Sequence, residues 1–477
     1  MPWLREMIFL SLMTVIGSAV LTLFTGRKRR THWALYLGLS FSLGSSIVAL
    51  LLFVFSMLDW LPGQVIVWML PILATALFGI ALRRRDLTGN TEICSASAGS
   101  TFDSILFGVG FLFLAAAVVN AGALVLTHGV ADTDVFAVWF LKAKILAVAP
   151  LLPVPNFFMD PSLSYSHQDY PLAFPFLIAG SFGFSGRTDE LTGKVIQLPI
   201  FLSLALVMYG SLSQFVRRGL SMMLTALLMC MPVMLMYTQM AVADLYLTLQ
   251  HTCGLICMLR WMENRKRCDA ILAGAFAAFA AFSKNEGLAL LPLMLIVMLL
   301  FAAIRRHKGL IWDWLIAAVT AAVIISPWLV YRHHLPHSHE DYGGKLTHLS
   351  NFLSALPRLG EVLRGYLGLF LQYQAAGFIW LVLMVIAILA WRELRRTSVL
   401  LLWMMTVGHL TLYAATFLVT PWKLDDLIPI VGPKLLMHAA PGAVLLIGVH
   451  LRTKDHFAFD LEKTESENSG RMEKMPI

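Results

Sequence analysis

Charge is scarce in this chain of 477 residues. Only 13% of it is Asp, Glu, Lys or Arg, against 58% hydrophobic residues, and the mean hydropathy is +0.75. That balance excludes a soluble globular domain and a chain kept disordered by its charge. Cysteine is scarce as well. Of five cysteines, Cys230, Cys253 and Cys257 lie in apolar runs, and Cys94 and Cys268 sit in loops with basic flanks, so no disulfide framework is expected. The first apolar run lacks a small-residue cleavage site and is followed by "RKRR", which predicts a retained helix rather than a signal peptide. The net charge of +8 would suggest nucleic acid in a soluble protein. Here Lys and Arg collect in short clusters between apolar runs, the mark of cytoplasmic loops, and no nucleic-acid partner is implied.

What is present in abundance is apolar sequence in runs near twenty residues. Each is long enough to cross a hydrocarbon core of roughly 30 Å as a helix. Only helices satisfy their own backbone in lipid without closing a barrel, so the fold is predicted to be all-α, a polytopic helical membrane protein. The basic clusters are Arg27–Arg30, Arg83–Arg85, Arg217–Arg218, Arg260–Arg267, Arg305–Lys308, Arg392–Arg396 and the tail from Arg452. Placing all of them in the cytoplasm gives about thirteen spans, with the N-terminus outside. These are 6–25, 33–57, 65–82, 104–126, 191–213, 219–237, 242–259, 269–283, 287–304, 311–331, 372–391, 398–420 and 435–451. Three regions follow: an extension of three helices with a cytoplasmic loop (1–100), a core (101–451) with outer loops 127–190 and 332–371, and a polar cytoplasmic tail (452–477), expected to be disordered. The run "PLAFPFLIAGSFGF" holds two prolines and is too short to span. It is predicted to be an interfacial or re-entrant segment on the outer face.

This threading puts most of the remaining polar residues on one side. Outside fall Asp132, Asp134, Asp160, His167, Asp169, the stretch Arg187–Glu190, Asp244, Lys284, Glu286, the loop from Arg332 and the stretch Lys423–Asp426. Singly, each reads as a solvated loop end; gathered at helix ends facing one compartment, they point to a shared site. In "ADTDVFAVWFLKAKI" two carboxylates precede what reads as an amphipathic surface helix, with Lys142 and Lys144 at the interface. In "YTQMAVADLYLTL", Asp244 stands in a first helical turn, where a carboxylate is also an ordinary cap. In "FSKNEGLALL", Lys284 and Glu286 are more than a tight turn requires. "YRHHLPHSHEDYGGK" has the density of a zinc site but not the spacing, and reads better as an acceptor-side loop. The 24 methionines read as helix packing.

The order of an acidic pair in an outer loop, then "W..KAK", "DYPLAFP", "ADLYLTL", "KNEG" and "KLLMHAAP" resembles the GT-C glycosyltransferases. Within them it is similar to the branch of dolichyl-phosphate-mannose protein mannosyltransferases and lipid A aminoarabinose transferases. The resemblance runs from about Phe102 to His450 and leaves the three N-terminal spans outside. It implies an inverting transfer of a sugar from a polyprenyl-phosphate donor to a lipid, glycan or protein acceptor, on the outer face of the cytoplasmic membrane. It also implies roles by motif. Asp132 or Asp134 would be the general base, with Asp132 favoured as the first after the helix; members often read Asp-Glu where this chain has Asp-x-Asp. Asp244 would join Asp132 in holding a divalent metal ion. Lys284, with Glu286 beside it, would meet the donor phosphate, and Lys434 and His438 would bind substrate, Lys434 standing where relatives more often have Arg. His167, Asp169 and Tyr170 would line the sugar pocket, which answers why so apolar a chain carries "SHQDYP".

The physics suits such a reaction. A lipid tail needs a groove among helices, its phosphate a cation at the interface, and the acceptor a base on the opposite face of the sugar. Two other readings use the same hydropathy. A secondary transporter or lipid flippase would show paired repeats with ionisable residues at the midplane of broken helices, and this sequence has no convincing repeat. A sugar polymerase or ligase would share the donor but not this motif order. The Lys284→Met substitution is expected, from sequence, to weaken donor binding and leave the fold intact. The threading itself is checked by fusions: a reporter active only outside the cytoplasm works after Asp160 or Gly343 and is silent after Arg265 or Arg395. Activity at Arg265 would overturn the one-sided site.

Overall fold

The computed structural model describes residues 2–25, 31–58, 63–84, 100–130, 132–149, 152, 155–336, 345, 349–376 and 378–452. Every regular element among them is helical, because apolar runs without water must close their hydrogen bonds locally. The N-terminal part contributes α1 (Pro2–Thr25), α2 (Trp33–Met57), α3 (Gly63–Arg84) and α4 (Thr101–Thr127). A π-helical turn (Val135–Phe140) leads into α5 (Leu141–Val148), followed by α6 (Ala173–Ser185) and α7 (Glu190–Val195). The central helices are α8 (Gln197–Leu212), α9 (Arg218–Met229), α10 (Pro232–Gln239), α11 (Ala243–Asn264), α12 (Arg267–Ser283), α13 (Asn285–Arg305) and α14 (Lys308–Arg332). The chain ends in α15 (Leu359–Leu371), α16 (Ile379–Leu389), α17 (Thr397–Val419) and α18 (Leu424–His450).

Among the described residues, eight helices are long and apolar enough to cross a membrane, or nine if α9 and α10, bent by 58° at Pro232, form one span. The chain is thus an integral membrane protein. The difference from about thirteen expected spans has specific causes. Helix α11 has 22 residues but spends part of its surface on Asp244, Gln250 and His251. Helix α12 has 17 residues and α16 has 11, both short for a crossing. The proline-rich run forms α6, of 13 residues, nearly all buried. It packs against α1, α2 and α5.

The N-terminal helices are built into the rest. Helix α1 lies against α2 so closely that a Cβ on Gly44 would stand 1.7 Å from the carbonyl oxygen of Met13, an approach only small residues permit. Helix α2 in turn packs on α6 and α8 and reaches α11 through polar contacts. Ser42 Oγ donates to Gln250 Oε1 at 3.1 Å, and the Ser46 hydroxyl lies 2.9 Å from the Tyr246 phenol. Buried hydroxyls and amides matched in this way fix the register of α2 against α11.

Loop ends expected on one side of the membrane do meet. The Asp103 carboxylate accepts the Gly219 N–H at 3.0 Å and faces Arg218 at 3.7 Å. Asp313 takes Arg267 Nε at 2.8 Å and Trp261 Nε1 at 3.3 Å. Arg452 reaches Glu263 at 3.3 Å and covers the Phe215 ring. The Cys94 loop, residues 337–344 of the histidine-rich stretch and the tail from 453 lie outside the described residues.

Candidate functional site

The opposite helix ends carry a cluster of buried charge. Its centre is the turn from α12 to α13. Lys284 is extended (φ −161°), and α13 starts so close behind that a Cβ on Gly287 would meet the Ala280 carbonyl oxygen at 2.0 Å. This turn directs the Lys284 side chain into the protein, where it is 3% exposed. Its Nζ lies 2.8 Å from Asp244 Oδ1 and 2.8 Å from Glu286 Oε1. Asp244 also faces His438 Nε2 at 3.1 Å, and the other imidazole nitrogen, Nδ1, is 2.9 Å from the Tyr413 hydroxyl. Asp244 is therefore not an end cap of α11: the cap position is Val242, with no side-chain bond. The chain enters α11 through Ala241, whose φ of 50° is left-handed. Such a backbone costs an L-residue about 1–2 kcal/mol and is kept where surrounding packing fixes it. Lys434, half-buried on α18, acts electrostatically on both Asp244 and Glu286, yet among the described residues no carboxylate lies within ion-pair distance of it.

The acidic pair is held at the same end by α7. Lys194, almost fully buried, donates to the His128 carbonyl, and Glu190 Oε2 accepts the Val130 N–H at 3.4 Å. Two side chains thus grip the strand of backbone that delivers Asp132. Asp132 Oδ1 accepts the Asp134 N–H at 2.7 Å, starting the helical turn that follows; Asp132 is half-buried and Asp134 exposed. Tyr237 of α10 lies within electrostatic reach of both clusters. Its phenol feels Asp244 and Lys284 and, more weakly, Asp132 and Asp134. The structure therefore brings the acidic loop and the buried Lys–carboxylate–His cluster to one place.

The "SHQDYP" stretch lies against them. His167 adopts a left-handed conformation (φ 48°), which turns its carbonyl inward onto Lys142 Nζ. The Lys142 ammonium also sits over the Tyr170 ring at 5.6 Å. Lys142 is thus fully buried, whereas sequence placed it at a membrane interface; only Lys144 is exposed. Burial pulls its pKa down to about 7, with Asp169 acting in the opposite sense. Asp169 faces Arg332, at the end of α14, at 3.6 Å. The His167 and Tyr170 rings stack at 4.6 Å, and Tyr170 is within electrostatic reach of Lys284.

Sequence reasoning missed Tyr413, Tyr237, Arg332 and Lys194, and misplaced Lys142. The first two are single polar atoms in apolar runs, visible only once α10, α17 and α18 are packed together. The expected metal pair is a different matter. Asp244 Oδ1 is engaged by an ammonium and an imidazole, which leaves its other carboxylate oxygen as the one that could meet an ion shared with Asp132. Among the described residues, no group of three or more His, Cys, Asp and Glu side chains is placed to hold a metal.

Residues 169–331 match the dolichyl-phosphate-mannose-protein mannosyltransferase family. That segment runs from Asp169 through Asp244, Lys284 and Glu286. No curated protein matches the chain significantly. Among solved structures, the crystal structure of ArnT from Cupriavidus metallidurans bound to undecaprenyl phosphate is similar, with a TM-score of 0.50 and 16% identity. The similarity covers 75% of this chain and 63% of that one. The fold is GT-C-like, as the motif order suggested.

The geometry also revises the sequence expectation for Lys284→Met. Removing the ammonium leaves the buried Asp244 and the half-buried Glu286 with no counter-charge between them; breaking a buried pair typically costs about 3–5 kcal/mol. The variant is expected to lose several degrees of thermal stability in detergent, while Lys284→Arg loses less. A Lys284→Met protein as stable as the wild type would show that the pair carries no structural load.

Proposed function

We propose that this protein is an inverting glycosyltransferase that takes a sugar from a polyprenyl-phosphate donor and passes it to an acceptor on the outer face of the cytoplasmic membrane. The observation that carries the reading is the meeting, at one end of a membrane-embedded bundle, of an exposed acidic loop with a buried Lys–carboxylate–His cluster. The matched family and the polyprenyl phosphate bound in the similar structure support it. In this reading Asp132, half-buried on a loop anchored by Lys194 and Glu190, takes the proton from the acceptor hydroxyl. Asp134, next to it, holds the loop. The oxygen attacks the anomeric carbon from the face opposite the phosphate, and the C–O bond to phosphate breaks as the new glycosidic bond forms. The departing phosphate needs a cation that is not already neutralised. Lys434 meets that need better than Lys284, whose charge is spent on Asp244 and Glu286. Tyr170 and His167, kept in place by Lys142, form the wall of the sugar pocket. Asp169, with Arg332, belongs to the same wall.

The test is direct. Purified protein incubated with a panel of polyprenyl-phosphate sugars should release polyprenyl phosphate from one of them in an acceptor-dependent way. Asp132→Asn keeps the size of the side chain but removes the proton acceptor, and is expected to slow transfer roughly a hundredfold to ten-thousandfold. Asp134→Asn should do less. If Asp134→Asn abolished transfer and Asp132→Asn did not, the base would be Asp134. Full transfer by both variants would remove the acidic loop from the chemistry and the transferase reading with it.

A further inference from the structure

Tyr413 is a member of the cluster to which the proposed reaction gives no role. Tyr413 sits in an otherwise apolar stretch of α17, 3% exposed, and its hydroxyl lies 2.9 Å from His438 Nδ1. Its position matters because of what the other imidazole nitrogen does. Asp244 Oδ1, paired with the Lys284 ammonium, is an acceptor only, so the nitrogen facing it, Nε2 at 3.1 Å, must carry the proton. In a neutral imidazole Nδ1 is then bare, and the Tyr413 hydroxyl is the donor to it. We propose that Tyr413 is a positioning residue that locks His438 in the Nε2–H tautomer and thereby holds the Asp244 carboxylate against Lys284. The proposal rests on the transferase reading, and adds to it a residue that touches no substrate.

Without the phenol, Asp244 alone still favours the proton on Nε2, and Nδ1 is left buried without a partner. The Nδ1–H tautomer would turn the lone pair of Nε2 toward a carboxylate, a repulsive contact that releases Asp244 from one of its two partners. The groups that face His438 are Asp244 and His251 from α11, Lys284 from the α12–α13 turn, Glu286 from α13 and Tyr413 and His409 from α17, with Lys434 on its own helix. Of these only Asp244 and Tyr413 bond its ring. His409 stands edge-on to Tyr413, with ring centroids 4.6 Å apart, and His251 lies beyond it at 4.8 Å. These two rings pack around the phenol without taking its proton.

The experiment compares kcat for polyprenyl phosphate release in wild type, Tyr413→Phe, His438→Gln and the double variant, from about pH 8 down to about pH 5, well below the ordinary imidazole value near 6.5. At the alkaline end Tyr413→Phe is expected to lower kcat about tenfold, the size of a lost hydrogen bond to a charged network, with KM for the donor little changed. The ratio of wild type to variant should fall toward one as pH drops, because an imidazolium donates from both nitrogens and needs no lock. In the His438→Gln background, where a carboxamide donates to Asp244 without any tautomer, Tyr413→Phe should cost nothing further. A merely structural phenol would cost the same at every pH and in both backgrounds. Either result overturns the proposal. An active wild type with an unaffected Tyr413→Phe overturns the tautomer lock alone, whereas a wild type without transfer on any donor overturns the transferase reading and the lock together.

Discussion

One ammonium between two carboxylates organises this end of the protein. Lys284 bridges Asp244, at the start of α11, and Glu286, at the start of α13, at 2.8 Å each. Two buried charges and a half-buried third in one place are costly unless each is matched, because charge is expensive to remove from water. The matching is therefore a constraint on everything nearby. Helix α13 must start within touching distance of Ala280, which only Gly287 permits. Helix α11 must be entered through a left-handed Ala241. Helix α18 must present His438 to the remaining side of Asp244. The N-terminal helices contribute to the same end indirectly, since α2 fixes α11 through Gln250 and Tyr246.

The loops over the cluster use lysine in a second way. Lys142 and Lys194 are buried, and each gives its ammonium to a backbone carbonyl, at His167 and at His128. A long flexible side chain thus ties down a loop that has no regular hydrogen-bond ladder of its own. The strongly apolar chain explains why so few such ties suffice. Its helices are already ordered by packing, and only the short segments carrying Asp132, Asp134 and Tyr170 need individual anchors. In the proposed reaction the half-buried Lys434, close to the carboxylates without pairing with them, is the cation that takes up the donor's negative charge.

Much of this was legible in the sequence, and the rest failed for physical reasons. Apolar runs near twenty residues and basic clusters were enough to read an all-helical membrane protein, because lipid leaves the backbone no other choice. The short run from Pro171 was recognised as too short to cross, and it forms the 13-residue α6. The order of outer polar motifs brought Asp244, Lys284, Glu286 and His438 under suspicion together, and the structure packs them into one cluster. Lys142 was misread because it was placed at the interface together with Lys144, although two residues apart on α5 they face opposite sides, Lys144 outward and Lys142 inward. Spans such as α16 were over-read because hydropathy does not register where Gln372 and the left-handed Phe378 interrupt the helix. Asp244 looked like an ordinary first-turn carboxylate, since its partners are 40 and 194 residues away in the chain. Tyr413 gave no local signal at all.

The central claim is that the donor's phosphate binds at the end of the bundle that holds the Lys284 cluster. A structure of the protein with polyprenyl phosphate bound tests it most directly. The account predicts phosphate oxygens within about 3 Å of Lys434 Nζ, at charge-assisted hydrogen-bond distance, with Asp244, Lys284 and His438 still joined beneath it. Phosphate bound at the opposite end, among Arg218, Arg267 and Arg452, would contradict it.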